Sequence, residues 1–295
     1  MEKIRHSKFY DLFLNTLSKK MVMGFILIIA MGTLLLSLPV ATYGNTVSFI
    51  NALFTATSAT CITGLTVVNT AETWTPFGQV AIMVMTEIGA LGYMTFTVLL
   101  FNIMRRHLNL STQLMVKESL NLEHLHDTKS VTRYVIGLSA LFQIVGMILF
   151  AFDFVPRFGW SQGIYISLFH SVMSFCNAGF DVFGNSLMGF RNDSYMLLVT
   201  TILIVAGGLG FLVWRDLLLY HDRKRLTLNS KLTLFTTVSL FVIGFLMLLV
   251  TERDLSWLPK GTSWFNRTVN TLFLSVTPRT AGLVSLPTAD LHPGS

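Results

Sequence analysis

The sequence predicts an all-α polytopic membrane protein made of repeated units: an outer helix, a short re-entrant helix, a loop and an inner helix. Three observations carry this. Of 295 residues, 52% are hydrophobic and 12% charged, with a mean hydropathy of +0.62; a soluble domain carries about twice that charged share. The apolar residues fall in long blocks rather than periodic stripes. The basic residues collect in alternate connections.

The blocks, in order, cover residues 21–39, 76–104, 134–152, 194–214 and 232–250, and only Glu87 in the second is charged. At about 1.5 Å per residue each can cross a hydrocarbon core of roughly 30 Å, so five spanning helices are expected. The first block is too long for a signal-peptide apolar region and is followed by many further spans.

Net charge is +6 and the pI about 9.4. Fifteen of the 21 Lys and Arg lie in residues 1–20, 105–133 and 215–231. The positive-inside rule makes these three segments and the N-terminus cytoplasmic. Trp74, Trp160, Trp257 and Trp264 fall at expected outer edges and Trp214 at an inner one. Charge thus reports topology in a lipid bilayer, and no nucleic-acid partner is expected. The resulting organisation is a cytoplasmic N-terminus (1–20), a first repeat (21–104), a linker (105–130), a second repeat (131–220), a linker (221–231) and a partial third repeat (232–295) whose inner helix is missing. Two cysteines, Cys61 and Cys176, supply no disulfide framework.

The repeat is sharpest in the outer connections. Each is about 40 residues long and too apolar for a solvated loop. Each holds a stretch of helical character (48–59, 162–174 and 263–276) that is too short to span and reads as re-entrant. With Gly64, Gly179 and Gly282 aligned, the loops match column by column: A-T-C-I-T-G-L (59–65), S-F-C-N-A-G-F (174–180) and T-P-R-T-A-G-L (277–283). Five before glycine stands a small residue (Ala59, Ser174, Thr277), one before another (Thr63, Ala178, Ala281), and one after a bulky hydrophobe (Leu65, Phe180, Leu283). Both cysteines occupy the column three before glycine.

Non-helical backbone at membrane depth is tolerated only when buried in protein or lining a watery cavity. A short helix ending there aims its partly negative C-terminus at the cavity. An extended strand ending in glycine can turn several carbonyls toward one axis and replace a cation's hydration shell without fixed charge. Divalent sites recruit carboxylates. The aligned columns hold none, although Asp181 follows the second loop, so a monovalent cation and backbone coordination are expected.

This order of helices and loops, with one glycine per loop, resembles the Trk/Ktr/HKT superfamily of potassium transporters, and most of all its bacterial Ktr-type membrane subunit. Two inner-helix glycine clusters, E-I-G-A-L-G-Y-M-T (87–95) and A-G-G-L-G-F-L-V-W-R-D (206–216), add to the likeness, which runs from Lys19 to Leu283. The resemblance implies four repeats around a pseudo-fourfold axis, of which three filter loops are present here. It also implies potassium uptake across the plasma membrane, a homodimer, a docked cytosolic nucleotide-binding regulatory ring, and a gating loop in the third inner helix. The family's filter carbonyls carry over to Cys61, Ile62, Thr63 and Gly64, to Cys176, Asn177, Ala178 and Gly179, and to Arg279, Thr280, Ala281 and Gly282. Since the sequence stops at Ser295, just after the third filter, a C-terminally truncated chain is expected, inactive by itself if the fourth wall is required. The ion is expected to be potassium; a sodium-permeable relative of the same architecture stays open, as does a purely structural subunit.

Several other residues admit both a functional and a plainer role. Glu87 lies mid-membrane, where an acid is costly unless paired or hydrated; a structural partner is preferred over a cation-attracting role. Gly207, Gly208 and Gly210 can form a hinge or permit close helix packing, and packing is preferred. Arg279 suits a cation pore only if its side chain points behind the filter and braces it. Glu123, His124 and His126 share one short loop, poor geometry for a metal, and read as a solvated linker. The basic run at 222–225 fits a regulatory partner or anionic lipid equally. HExxH and Walker A patterns are absent from the sequence, and a membrane-embedded enzyme would have only Glu87 to work with.

Overall fold

The computed structural model describes residues 17–44, 47–92, 128–252, 263–279 and 281–287. Among them the regular structure is helical, with no extended strand. Contacts divide the chain into two units, Met1–Cys61 with Pro76–Gly137, and Ile62–Thr75 with Leu138–Ser295.

In the first unit helices α1 (Leu17–Leu36), α2 (Phe49–Thr60) and α4 (Pro76–Leu91) pack on one another. Ser48 starts α2 by accepting the Asn51 amide at 3.3 Å. The buried residues of α2 are Ala52, Thr55, Ala56, Ser58, Ala59 and Thr60, all small, so neighbouring backbones can come close. Gly32 serves the same end in α1: a Cβ there would lie 2.0 Å from Met85 Sδ of α4. Helix α4 gives way at Gly92, whose φ of +76° is left-handed. The continuation of the expected 76–104 span beyond that point lies outside the described residues, as do Glu123, His124, His126, Trp257 and Thr280.

The second unit begins with the short helix α3 (Thr70–Thr73), capped by Asn69. It continues with the part of α5 (Thr128–Phe158) from Leu138 onward and with α6 (Trp160–Cys176). Only Gly159 separates α5 from α6, at φ +81°, because glycine enters the left-handed region without a Cβ penalty. The two helices then run antiparallel in close contact. A Cβ at Gly163 would sit 2.8 Å from the Phe154 carbonyl oxygen, and one at Gly146 2.4 Å from Ser171 Oγ. Helix α5 runs past residue 152, the end of the expected apolar block, to Phe158.

Helices α7 (Ser194–Gly208) and α8 (Phe211–Leu218) follow, then α9 (Tyr220–Arg223), α10 (Leu228–Thr251) and α11 (Trp264–Val276). Asp193 caps α7 through the Met196 amide (3.1 Å) and also pairs with Arg157, which reaches Asp153 at 2.7 Å. A core of Phe150, Phe154, Leu197, Leu203, Phe273 and Leu283, among others, joins α5, α6, α7 and α11.

The expectation of five uninterrupted spans needs correction. Among the described residues two helices are long and apolar enough to cross a membrane, Thr132–Phe158 and Leu228–Thr251; Val22–Leu36 and Pro76–Leu91 are shorter apolar helices. The expected span at 194–214 is broken: α7 and α8 meet at 93°. Gly210, at φ +84°, lies outside helical space, and Gly207 and Gly208 before it are weak helix formers. Trp214 Nε1 donates to the Ala206 carbonyl at 2.8 Å across the break, satisfying one acceptor that the lost helical turn leaves free.

Candidate functional site

The three glycine loops begin where the short helices end. Helix α6 closes at Asn177, which adopts a left-handed conformation (φ +57°), and the Ala178 amide reaches back to the Met173 carbonyl at 3.0 Å. In the first loop Ile62, in the matching column, has the same φ of +57°. In the third, α11 tightens into a 3-10 turn over Thr277–Arg279. The amides of Ala281 (3.1 Å) and Gly282 (3.3 Å) both bond the Thr277 carbonyl, and the Thr277 hydroxyl donates to the Leu283 carbonyl. Thr277 thus binds the loop from behind at two points.

Gly64, Gly179 and Gly282 have φ of +70°, +73° and +66°. The aligned column shares one left-handed conformation that L side chains rarely adopt. All three glycines belong to the second unit, and they meet. A Cβ on Gly64 would lie 2.8 Å from the Ala178 carbonyl oxygen and 3.2 Å from Gly179 Cα; one on Gly179 would lie 2.9 Å from the Ala281 carbonyl oxygen and 3.0 Å from Gly64 Cα. A Cβ on Gly282 would lie 4.0 Å from Gly179 Cα. In each close step the carbonyl preceding one glycine abuts the glycine of the previous loop. The same relation is made twice, as a rotation from loop to loop requires.

Side chains in these columns do not share one environment. Cys61 is exposed, whereas Cys176 is buried and accepts from Gln143 Nε2 at 3.9 Å. Ala178 and Ala281 are buried. Of the three hydrophobes after glycine, Phe180 and Leu283 are fully buried while Leu65 is 63% exposed. The Arg279 guanidinium stacks over the Phe241 ring of α10 at 4.8 Å, so its charge is held against a neighbouring helix. Thr280, the third loop's counterpart of Ile62 and Asn177, is outside the described residues. Glu87 is half-buried in α4. Among the described residues no cluster of three His, Cys, Asp or Glu could hold a metal ion.

Gly207 has a specific neighbour. A Cβ there would fall 1.8 Å from the Phe175 carbonyl oxygen, so the end of α7 lies directly on the last turn of α6. Close packing is therefore realised at this member of the cluster.

Sequence reading alone missed Asn69, Asp181 as a turn former, and Ser186. The first two carry legible signals. Asn before T-A-E is a helix N-cap pattern. Asp181 Oδ1 accepts the amides of Phe183 (2.8 Å) and Gly184 (2.6 Å), the local turn that Asp followed by Gly favours.

Long apolar helices alternating with short ones that end in non-helical backbone define an integral membrane protein. The sequence matches the TrkH family, described as cation transport protein, over residues 4–295, and the chain belongs to that family. It is 46% identical over 264 residues to the potassium/sodium uptake protein NtpJ of Enterococcus hirae, covering 89% of this chain and 58% of that protein. It is 36% identical over 279 residues to the Ktr system potassium uptake protein B of Bacillus subtilis (93% and 62%), and 32% identical over 276 residues to that of Vibrio alginolyticus (90% and 58%). The chain therefore spans about three-fifths of the length of these relatives. The family is one of transporters, not enzymes, which sets aside the membrane-enzyme alternative.

Proposed function

We propose that this chain contributes the wall of a potassium pathway, with the ion coordinated by the backbone carbonyls of residues 61–64, 176–179 and 279–282. The observation that carries this reading is the meeting of Gly64, Gly179 and Gly282, each left-handed, with the carbonyls of Ala178 and Ala281 turned onto the neighbouring loops. Carbonyl dipoles grouped at the ends of short helices suit a cation of single charge, which loses its hydration shell more cheaply than a divalent ion. The stacking of Arg279 on Phe241 supports the reading, because it removes the one positive side chain of these columns from the cation's route.

Relatives named for potassium uptake support the choice of ion. A relative named for both potassium and sodium favours sodium permeation as the second reading. The filter belongs to a repeated, pseudo-fourfold architecture in this proposal, placed in the plasma membrane with a cytoplasmic N-terminus. Pairing as a homodimer and docking of a cytosolic nucleotide-binding ring complete it, in keeping with relatives named as parts of a Ktr system.

The test is growth of a potassium-uptake-deficient bacterium carrying the complete gene, with rubidium and sodium uptake measured in the same cells. Growth at low potassium with rubidium uptake exceeding sodium uptake is expected. No growth despite membrane insertion would reject transport, and equal uptake of both ions would favour the second reading.

A further inference from the structure

Beyond the glycines the loops are tied to one another a second time. After Gly179 the chain turns at Asp181, passes Gly184 at φ +85° and reaches Ser186 at φ +57°. There it meets the third loop two residues past Gly282. The Val284 amide donates to Ser186 Oγ at 2.9 Å, and the Leu187 amide donates to the Val284 carbonyl at 2.9 Å. Both backbone groups of Val284 are thus taken by the second loop. The first loop joins more weakly: Asn69 Nδ2 donates to the Gly184 carbonyl at 3.5 Å and packs so closely that a Cβ on Gly184 would lie 2.9 Å from it. These ties run in the same order as the glycine contacts, first loop to second to third. Leu187 and Leu283, both fully buried, anchor the bracket to the core.

The backbone at Ser186 is the informative detail. Left-handed φ suits glycine, and glycine stands two residues earlier at Gly184 in that same region. A loop that needed only the turn would be served by glycine again. A non-glycine residue held in sparsely populated space points to work done by its side chain, and here that side chain is the acceptor for Val284. From this geometry we infer that Ser186 is a positioning residue. Its hydroxyl sets the separation between the second and third glycine loops, and through it the discrimination between potassium and sodium. The inference rests on the filter reading above and adds the residue that holds the filter's width.

Two substitutions separate this role from a merely structural one. Ser186→Gly removes the acceptor and relieves the backbone; Ser186→Thr keeps the hydroxyl and crowds a left-handed position with a β-branched residue. Both are introduced into the complete gene product, and rubidium-over-sodium uptake is measured beside the melting temperature of the detergent-solubilised protein. Ser186→Gly is expected to lower the uptake ratio by about fivefold or more at an unchanged or higher melting temperature, while Ser186→Thr holds the ratio within about twofold at a lower one. A wild-type ratio in Ser186→Gly, or a ratio that follows melting temperature across the two variants, overturns the inference while leaving the filter reading intact. A parent protein that carries neither ion, or both equally, overturns the filter reading and the inference with it.

Discussion

Neighbouring glycines at the end of α7 should respond oppositely to the same substitution. An alanine Cβ at Gly207 would lie 1.8 Å from the Phe175 carbonyl oxygen, 2.9 Å from its carbonyl carbon and 3.3 Å from Asn177 Nδ2. Relief requires the backbones to part by roughly 1 Å or more, since carbon and oxygen repel steeply below contact distance. Phe175 cannot yield easily: it is 3% exposed and its ring stacks on Phe142 at 5.6 Å. Overpacking against mobile side chains costs about 1–3 kcal/mol, and a clash with fixed backbone falls at or above the top of that range. At Gly208 the nearest atom to a new Cβ is 3.8 Å away, ordinary contact, and alanine gains up to about 1 kcal/mol of helix propensity. Melting of the detergent-solubilised variants should show Gly207→Ala lowered on the order of 10 °C and Gly208→Ala at or above the parent. The shift at Gly207 should come with altered ion selectivity, because the last turn of α6 carries Asn177–Gly179. Equal melting temperatures for the two variants would refute the claim that α7 is seated on that turn.

Three further outcomes follow from the same geometry. Gly179→Ala and Gly282→Ala both strain a left-handed backbone by about 1–2 kcal/mol. Only the former also meets backbone at 2.9 and 3.0 Å, so rubidium uptake should fall further in Gly179→Ala, and equal loss in the two would contradict the crowding at the second loop. Arg279→Ala should lower membrane yield or rubidium-over-sodium selectivity by removing a cation–π contact of about 1 kcal/mol, with Phe241→Leu giving a partial copy; unchanged uptake and yield in both would reject the bracing role. Gly244→Ala should destabilise by about 1–2 kcal/mol because its Cβ would meet Ser275 Oγ at 2.6 Å. Ser275→Ala should rescue much of that loss while forfeiting its bond to the Phe241 carbonyl, a non-additivity that a double-mutant cycle measures directly.

The short helices were legible because apolar stretches too brief to span recur at one topological point. They occupy Phe49–Thr60, Trp160–Cys176 and Trp264–Val276, within two residues of expectation at every end. The shared φ of the three glycines was implicit in the column alignment, since glycine is the residue for which that region is cheap. The elbow between α7 and α8 was hidden from hydropathy, which averages composition and registers no direction: 194–208 and 211–214 are apolar alike. Its glycines were visible, but whether they bend a helix or admit a neighbour depends on Phe175, more than 30 positions away. The shared column does not reveal burial: Leu65 is exposed where Phe180 and Leu283 are buried. Ser186 left no trace, because a single hydroxyl gains meaning only through Val284, 98 residues further on.

What the three glycines bring together is almost wholly main chain: every atom nearest the missing Cβ of Gly64, Gly179 and Gly282 belongs to backbone. The conventional genetic alphabet edits side chains, so it can disturb such a surface only from outside, by pushing it. A direct edit must change the peptide link itself. Replacing an amide by an ester at Gly64 or Gly179 weakens the preceding carbonyl as a dipole and leaves every side chain in place. Chemical synthesis or nonsense suppression with hydroxy acids, rather than alanine scanning, is therefore the natural way to read this region one oxygen at a time.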